Sequence, residues 1–346
     1  MEPRSIRLLT SAATADYLEM KSHSVEFRPR ELLNLVAPPL VPVALFALAM
    51  EGGARFGVFP APRPALDVDR TILIHQAESS RTRSGAEVIL LGDSSCLMDV
   101  NARQLGVALG RRALNLGTIS FLDLGAHARL LREFTQAYPG QPRAVVLLMH
   151  PEALRRAGSE PYPLAVLTHF LAGTDHHQAG TFAGRFNAIN GVDVFQGRLL
   201  SRALPTPFTN SFGRFYGFNT GLERFMSAHD GSAIDPGAHP AKGNAEYRLS
   251  VTLEKLSRDF RAAVPPKTKL LVGITPVPVK FAGTNYPALR DQMLRDWSAW
   301  LQADAALSEL PATHPDEQIT GATHLKPAAI PGYTEALAAA VRAHVQ

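Results

Sequence analysis

The length, composition and charge of the chain exclude several classes of protein. The 346 residues allow one large domain or two smaller ones, and a hydrophobic content of 46% excludes a wholly disordered chain. A net charge of +4 without a run of Lys and Arg argues against nucleic acid binding, and the single cysteine, Cys96, excludes an internal disulfide framework and a cysteine-based zinc finger.

The first 85 residues contain a candidate membrane segment. Residues 32–50 (LLNLVAPPLVPVALFALAM) form a run of nineteen residues without a charge. About 20 apolar residues in a helix cross a bilayer, so this run predicts a transmembrane anchor. Lys21, Arg28 and Arg30 precede it, which favours a cytoplasmic amino terminus over residues 1–31 and a stalk over residues 51–85.

A cleaved signal peptide is the alternative interpretation of the same segment. Met20 as the start would give a basic region, an apolar region and the small-residue pattern Ala47-Leu48-Ala49. Both interpretations export the rest of the chain, and we favour a single-pass protein of the inner (cytoplasmic) membrane with its main domain in the periplasm. Within the stalk, the run Thr71–Ile74 (TILI) resembles a short strand, which we interpret as either an edge strand or a packed arm.

From residue 86 to residue 346 the pattern alternates between short apolar runs and longer amphipathic segments. Four runs predict buried strands, at residues 88–91, 113–116, 144–149 and 269–274. Amphipathic patterns predict helices at residues 101–109, 124–137, 253–263, 288–307 and 333–344. Buried strands separated by helices favour an α/β fold, a three-layer sandwich around a mainly parallel sheet. The alternation of strands and helices is absent at about residues 155–248. We interpret this segment as an insertion over the carboxyl edge of the sheet.

Ser94 stands where such a fold places a nucleophile. The stretch EVILLGDSSCLMDV has a strand, then Gly92-Asp93-Ser94-Ser95, then a helical segment. Ligands in open parallel sheets bind beyond the carboxyl ends of the strands, and a glycine there allows a sharp turn that Asp93 shapes. The amide of Ser94 or Ser95 could face a developing oxyanion.

His324 is the candidate base for Ser94. It lies in the segment THLKPAAIPGY, just before the last predicted helix. If that helix packs back on the sheet, the imidazole reaches the edge at which Ser94 lies. The alternative is a solvent-exposed loop histidine, since the chain has 12.

These motifs resemble those of the SGNH, or GDSL-type, hydrolase superfamily, from about residue 86 to the end. The resemblance rests on LLGDSSCLMDV, on ALNLGT with its Gly117, and on the terminal HLKPAAIPGY. It implies an SGNH-like domain over residues 86–346, with Ser94 as nucleophile, His324 as base and the amide of Gly117 as an oxyanion donor.

Two positions depart from the family pattern. The aspartate usually found three residues before the histidine is replaced by Gly321, which leaves Asp316 or Glu317 as the third member, or a Ser–His dyad. The asparagine that usually follows the middle strand is replaced by His150 and Pro151. This second change predicts the loss of an oxyanion donor unless Asn115 or Ser120 compensates.

The resemblance implies acyl transfer through an acyl-enzyme on Ser94. The amino-terminal segment and the insertion make the chain similar to membrane-anchored SGNH-like proteins that acylate cell-surface polymers, such as those of alginate O-acetylation and of D-alanyl transfer to teichoic acids. We therefore expect a serine esterase or O-acyltransferase that acts on carbohydrate or acyl esters outside the cytoplasm, with a membrane acyltransferase as partner and no cofactor. The alternative is a non-catalytic scaffold or polymer-binding subunit of a polysaccharide export or modification assembly.

Two further groups of residues have competing interpretations. Metal ligands are available in one group, although its spacing is not typical of a metal site and we expect no metal there; its members are Asp175, His176, His177, His229, Asp230, Asp235 and His239. Aromatic and basic residues near Tyr216 favour either a packed loop core or a surface for sugars or anionic polymers; they are Phe212, Arg214, Tyr216 and Arg224.

Overall fold

The computed structural model describes residues 29–55, 68–119, 122–172, 220–235, 246–321 and 323–345, together with residues 240 and 243. The chain divides into two compact units, Met1–Ala49 and Met50–Gln346. The segment predicted as an anchor lies in helix α1 (Pro29–Arg55), which contains three prolines and exposes apolar side chains such as Leu35 and Leu48. Among the described residues, no helix combines the length and the apolar character that a membrane crossing requires.

A central sheet of five parallel strands organises the second unit. Its order is β2-β1-β3-β4-β6, and the strands are β1 (Val88–Gly92), β2 (Ala113–Asn115), β3 (Ala144–Met149), β4 (Lys269–Ile274) and β6 (Ala305–Ala306). The prediction of an α/β fold with a parallel sheet is confirmed. The helix predicted to run to residue 307 ends instead at Leu301, because Gln302 adopts the left-handed conformation and the chain then forms β6.

Helices cover both faces of this sheet, as a three-layer sandwich requires. Successive strand residues point to opposite faces, so Ile89 and Leu91 enter one apolar cluster while Val88 and Leu90 enter the other. Buried residues of α4 (Ala102–Leu109) and α12 (Ile330–Val345) lie in the second cluster. Buried residues of most other helices lie in the first cluster. These helices are α2 (Val68–Thr82), α3 (Ser94–Asp99), α4 (Ala102–Leu109), α5 (Leu124–Ala137), α6 (Pro151–Arg156), α7 (Pro161–Leu171), α8 (Thr220–Ala228), α9 (Leu253–Arg261), α10 (Val279–Ala282), α11 (Tyr286–Leu301) and α12 (Ile330–Val345).

Helix α2 corrects the prediction of a stalk over residues 51–85. The TILI run forms part of this helix rather than a strand, and its Ile72, Leu73 and Ile74 lie in the larger apolar cluster. The helix is buried nearly all round, so polar residues such as Gln76 are buried with the apolar ones and mask the helical period. A short apolar run cannot by itself distinguish a strand from a buried helix.

Two small strand pairs lie outside the central sheet. Strands β5 (Val277–Pro278) and β7 (Thr313–His314) are parallel, and β8 (Ile319–Thr320) and β9 (His324–Leu325) are antiparallel. A short 3₁₀ helix, Asp316–Gln318, leads into β8. Of the predicted insertion, α6, α7 and α8 are described, whereas residues 173–219 lie outside the described part of the chain.

Candidate active site

Ser94 lies at the carboxyl end of β1, as the first residue of α3. The turn depends on Gly92, because a Cβ atom there would lie 1.7 Å from the carbonyl oxygen of Leu148 on the neighbouring strand. Asp93 then caps α3, since its carboxylate accepts a hydrogen bond of 3.0 Å from the amide of Ser95. The sequence Gly-Asp-Ser therefore ends the strand, turns the chain and begins the helix.

His324 is held by the β8–β9 pair and by a buried carboxylate. Gly321, with a φ of +62°, lies in the turn between the two strands, and Thr320 pairs with His324 across them. The amide of Leu325, the next residue, donates a hydrogen bond of 2.8 Å to Oδ1 of Asp99 at the end of α3. One short helix thus carries Ser94 at one end and anchors the histidine strand at the other.

The structure brings Ser94, His324 and Asp235 into one line of hydrogen bonds. Nε2 of His324 lies 2.9 Å from Oγ of Ser94, and its Nδ1 lies 2.9 Å from Oδ2 of Asp235. The side chains of His324 and Asp235 are 17% and 22% exposed, so the group is accessible from solvent. A hydroxyl, an imidazole and a carboxylate in this order are the components of a Ser-His-Asp triad.

The loop that carries Asp235 is fastened to β2, α3 and α4. The amide of Asn115 donates to the carbonyl of Asp230 at 2.8 Å, and the amide of Ala233 donates to the carbonyl of Leu97 at 3.0 Å. Oγ of Ser232 accepts a hydrogen bond of 2.9 Å from the amide of Ala102. These contacts fix the backbone immediately before Asp235.

Asp235 is the member of this hydrogen-bonded line that sequence reasoning did not place there. The sequence grouped it with candidate metal ligands, and no spacing rule links it to His324 because 89 positions separate the two residues. Because Asp235 lies far from His324 in sequence, the only feature that could have indicated this role is its carboxylate, and every other aspartate has one.

Asp316, the predicted third member, does not lie behind His324. Its Oδ1 accepts a hydrogen bond of 3.0 Å from the amide of Lys280, at the start of α10. The alternative, Glu317, is exposed on the same 3₁₀ helix. The prediction of Asp316 is corrected in favour of Asp235, because Nδ1 of His324 contacts the carboxylate of Asp235.

The predicted oxyanion donors are engaged within the fold. The amide of Ser95 donates to Asp93, and the amide of Gly117 donates to Oδ1 of Asn115 at 2.8 Å. Nδ2 of Asn115 donates in turn to the carbonyl of Cys96 at 2.9 Å. Ser120 lies outside the described residues. These side chains and amides shape the turn beside Ser94 rather than point a donor at a substrate, which corrects the predicted roles of Ser95, Gly117 and Asn115.

Asp93 ties together the ends of the three central strands. Its Oδ1 accepts from the hydroxyl of Ser95, which lies 2.8 Å from Oγ1 of Thr275 after β4, and its Oδ2 accepts from the amide of His150 after β3 at 2.8 Å. Burial raises the pKa of the Asp93 carboxyl, and the hydrogen bonds from Ser95 and His150 oppose that rise. Asp93 therefore stabilises the edge of the sheet at which Ser94 lies.

Apart from Asp235, the residues of the other groups singled out in the sequence contribute no side chain to this site in the described part of the chain. Within the described residues no three of His, Cys, Asp and Glu are grouped so as to hold a metal ion. The ring of His229 stacks on Phe225. Asp175, His176, His177, His239, Phe212, Arg214 and Tyr216 lie outside the described residues, and Arg224 is exposed on α8.

Comparison with known proteins adds no family to this description. No protein-family model matches the sequence, and no curated protein matches it either. A functional assignment consequently depends on the geometry of the site.

Proposed function

We propose that this protein is a serine esterase or O-acyltransferase that works through an acyl-enzyme on Ser94. The observation that carries the proposal is the continuous hydrogen-bonded line from Oγ of Ser94 through His324 to Oδ2 of Asp235. A serine hydroxyl is a weak nucleophile by itself, and a neighbouring imidazole oriented by a carboxylate is the arrangement that activates it.

The residues support a two-step acyl transfer. In the first step Oγ of Ser94 bonds to the ester carbonyl carbon while Nε2 of His324 takes the hydroxyl proton. The tetrahedral intermediate then expels the alcohol, which receives that proton from His324, and leaves the acyl group on Ser94. In the second step water or a sugar hydroxyl loses its proton to His324 and attacks the acyl carbon. The new tetrahedral intermediate then expels Oγ of Ser94, which takes that proton back from His324.

Asp235 has a distinct task in both steps. Its carboxylate accepts the Nδ1–H of His324, so the ring presents an unprotonated Nε2 to Ser94. The same carboxylate stabilises the imidazolium that forms when His324 takes the proton. The partly exposed position of both side chains leaves room for a substrate to approach.

The fold also supports the proposed likeness to SGNH-type hydrolases. A parallel α/β sheet, a serine after its first strand and a histidine shortly before its last helix agree with that expectation. The difference is the origin of the acid, because here a separate loop supplies Asp235. The scaffold alternative drew support from the missing aspartate and the missing oxyanion asparagine, and Asp235 answers the first of these two.

Carbohydrate acyl esters are the substrate class we propose, with transfer either to water or to a sugar hydroxyl. This choice depends on the sequence resemblance to proteins that acylate cell-surface polymers, as does the proposed membrane acyltransferase partner. Anchoring in the inner membrane and an extracytoplasmic location stay predictions from the amino-terminal sequence.

The proposal is tested by covalent labelling of the full chain with a fluorophosphonate probe, followed by peptide mass spectrometry. We expect one adduct, on Ser94, that is lost in Ser94→Ala and forms at least about 10²-fold more slowly in His324→Ala. Ser250→Ala is the matched control, because among the described residues the Ser250 hydroxyl contacts only Thr252, two residues away on the surface. A folded wild-type protein that takes up no label would contradict the proposal and favour the scaffold role.

A further inference from the structure

His150 presents a buried hydrogen-bond donor that the fold does not use. The residue follows β3 and caps α6, where its Nδ1 accepts a hydrogen bond of 3.2 Å from the amide of Glu152. Its side chain is almost fully buried, and its Nε2 has no hydrogen-bond partner among the described residues. Leaving such a group without a partner costs free energy, so native proteins seldom do so without a reason.

The contact with Glu152 fixes which ring nitrogen carries the proton. An amide N–H can donate only to an unprotonated nitrogen, so Nδ1 of His150 is the acceptor and the hydrogen of the neutral ring lies on Nε2. Burial, and next the charge of His324, lowers the pKa of His150 to about 3. The ring is consequently neutral at physiological pH, with Nε2–H as a donor.

The sheet register places His150 beside Ser94. Gly92 on β1 pairs with Leu148 on β3, and each chain continues two residues further, to Ser94 and to His150. The amide of His150 also donates to Asp93, the residue before Ser94. Because His324 lies 2.9 Å from Oγ of Ser94, the two histidines belong to the same end of the sheet.

We propose that Nε2–H of His150 donates a hydrogen bond to the oxyanion of the tetrahedral intermediate formed on Ser94. This inference rests on the proposed function. When Oγ of Ser94 bonds to the carbonyl carbon, the C=O electron pair moves to the oxygen, and the Nε2–H of His150 stabilises that charge. When the leaving group departs, the pair returns to re-form the carbonyl, and His150 keeps its proton throughout.

A neutral imidazole suits this task. It donates its hydrogen without transferring it, so it does not compete with His324 for protons. His150 stands where the family pattern has a side-chain donor, and its Nε2–H takes the place of the missing asparagine amide. The amides of Ser95 and Gly117 donate within the fold, which increases the need for a side-chain donor at this position.

The test compares two variants that both keep a good helix cap. Ser and Asn are favoured at the first position of a helix, so His150→Ser and His150→Asn each preserve the start of α6. His150→Ser removes the long side-chain donor, whereas His150→Asn retains an amide N–H₂. Each is assayed for kcat/KM on p-nitrophenyl acetate and for inhibition by an aryl trifluoromethyl ketone, whose adduct with the serine carries an anionic oxygen.

We expect His150→Ser to lower kcat/KM by about 10²–10³-fold and to weaken the trifluoromethyl ketone in parallel, with KM nearly unchanged. His150→Asn should recover at least about tenfold of both losses. If active wild-type protein and His150→Ser have equal kcat/KM and equal inhibition, the inference fails while the proposed function stands. If the wild-type protein is inactive and takes up no fluorophosphonate, the proposed function fails and the inference falls with it.

Proton NMR of the wild-type protein keeps the inference testable if a variant fails to fold. The Nε2–H resonance of His150 should move downfield when the trifluoromethyl ketone adduct forms, because a donor without a partner gains an anionic acceptor. A resonance that stays in place in a fully inhibited sample would overturn the inference.

Discussion

Nδ1 of His324 lies 2.9 Å from Oδ2 of Asp235, although the loop that carries Asp235 precedes the histidine by 89 residues. The carboxylate and the imidazole are therefore carried by two separate segments of the chain, the loop before residue 236 and strand β9. It is Asp235, not the nearer Asp316, that sets the orientation of the imidazole.

Asp235→Asn is expected to lower kcat/KM for p-nitrophenyl acetate by about 10³–10⁴-fold with little change in KM. The amide can donate to Nδ1 and so favours the ring form whose Nε2 carries a hydrogen and cannot accept the proton of Ser94. Asp316→Asn is the matched control and should keep full activity, because Asp316 contacts the amide of Lys280 instead. Equal activities for the two variants would show that Asp235 does not orient the base.

Four of the five strands of the central sheet, and the two residues Ser94 and His324, could be predicted because their signals are local. A β-branched run that stops at Gly92 and leads into Asp93-Ser94 specifies both a strand and its turn. The histidine was likewise marked by its place before the last helix. The placement of Ser94 and His324 at one edge of the sheet therefore follows from the general rule for parallel sheets.

The partner of His324, the hydrogen bond of the Gly117 amide and helix α2 could not be predicted because they depend on tertiary contacts. Asp235 reaches His324 only because backbone hydrogen bonds hold its loop against β2 and α3. The amide of Gly117 is taken by Asn115, a contact that spacing alone does not reveal. In α2, Gln76 is buried and donates to the carbonyl oxygens of Gly117 and Gly231, so a polar residue in sequence acts as a core residue.

Gly231→Ala should destabilise the protein and reduce its activity by displacing the loop of Asp235. Gly231 has a φ of +89°, and a Cβ atom there would lie 2.0 Å from the carbonyl oxygen of Asn115. The strain of the backbone costs about 1 kcal/mol, and the collision adds about 1–3 kcal/mol. Urea unfolding and kcat/KM measure the two effects.

Gly110→Ala is the control for that substitution. Gly110 ends α4 with a φ of +64°, and a Cβ atom there would meet nothing within 4 Å. It should lose only about 1 kcal/mol of stability and keep its activity. If both variants lose the same stability and both stay active, the contact between Gly231 and Asn115 does not position the acid.

His127→Leu should make the protein less sensitive to acid. Burial lowers the pKa of His127 from 6.5 to about 4, and neither ring nitrogen has a partner among the described residues. Between these pH values the unfolded chain binds a proton that the folded protein does not, so stability present above about pH 6.5 is lost as the pH falls toward 4. At about 1.4 kcal/mol per tenfold change in proton affinity, the loss is about 3 kcal/mol.

Urea unfolding at pH 7 and at pH 4.5 measures this effect. The difference in the free energy of unfolding between the two pH values should shrink in His127→Leu without vanishing, because His150 contributes in the same direction. Substitution of the exposed His344 by Leu is the control. An unchanged difference in His127→Leu would mean that the buried ring already carries a proton in the folded protein.

Asp99→Asn should stabilise the protein at pH 8 without loss of activity. Asp99 is fully buried, and burial raises its pKa well above the ordinary value of 3.8. Above pH 3.8 the unfolded carboxyl ionises while the folded one keeps its proton, so stability is lost as the pH rises toward the folded pKa. An amide in its place has no proton to lose and still offers an oxygen to the amide of Leu325.

Thermal unfolding at pH 5 and at pH 8 should show a larger gain for Asp99→Asn at the higher pH. Asp99→Leu is the matched contrast, because it also removes the ionisable group but leaves the amide of Leu325 without its acceptor. That loss should cost about 1–3 kcal/mol and lower kcat/KM, since the amide lies next to His324. A destabilised Asp99→Asn at pH 8 would indicate that the folded protein does not raise the pKa of Asp99, and the pH argument would then fail.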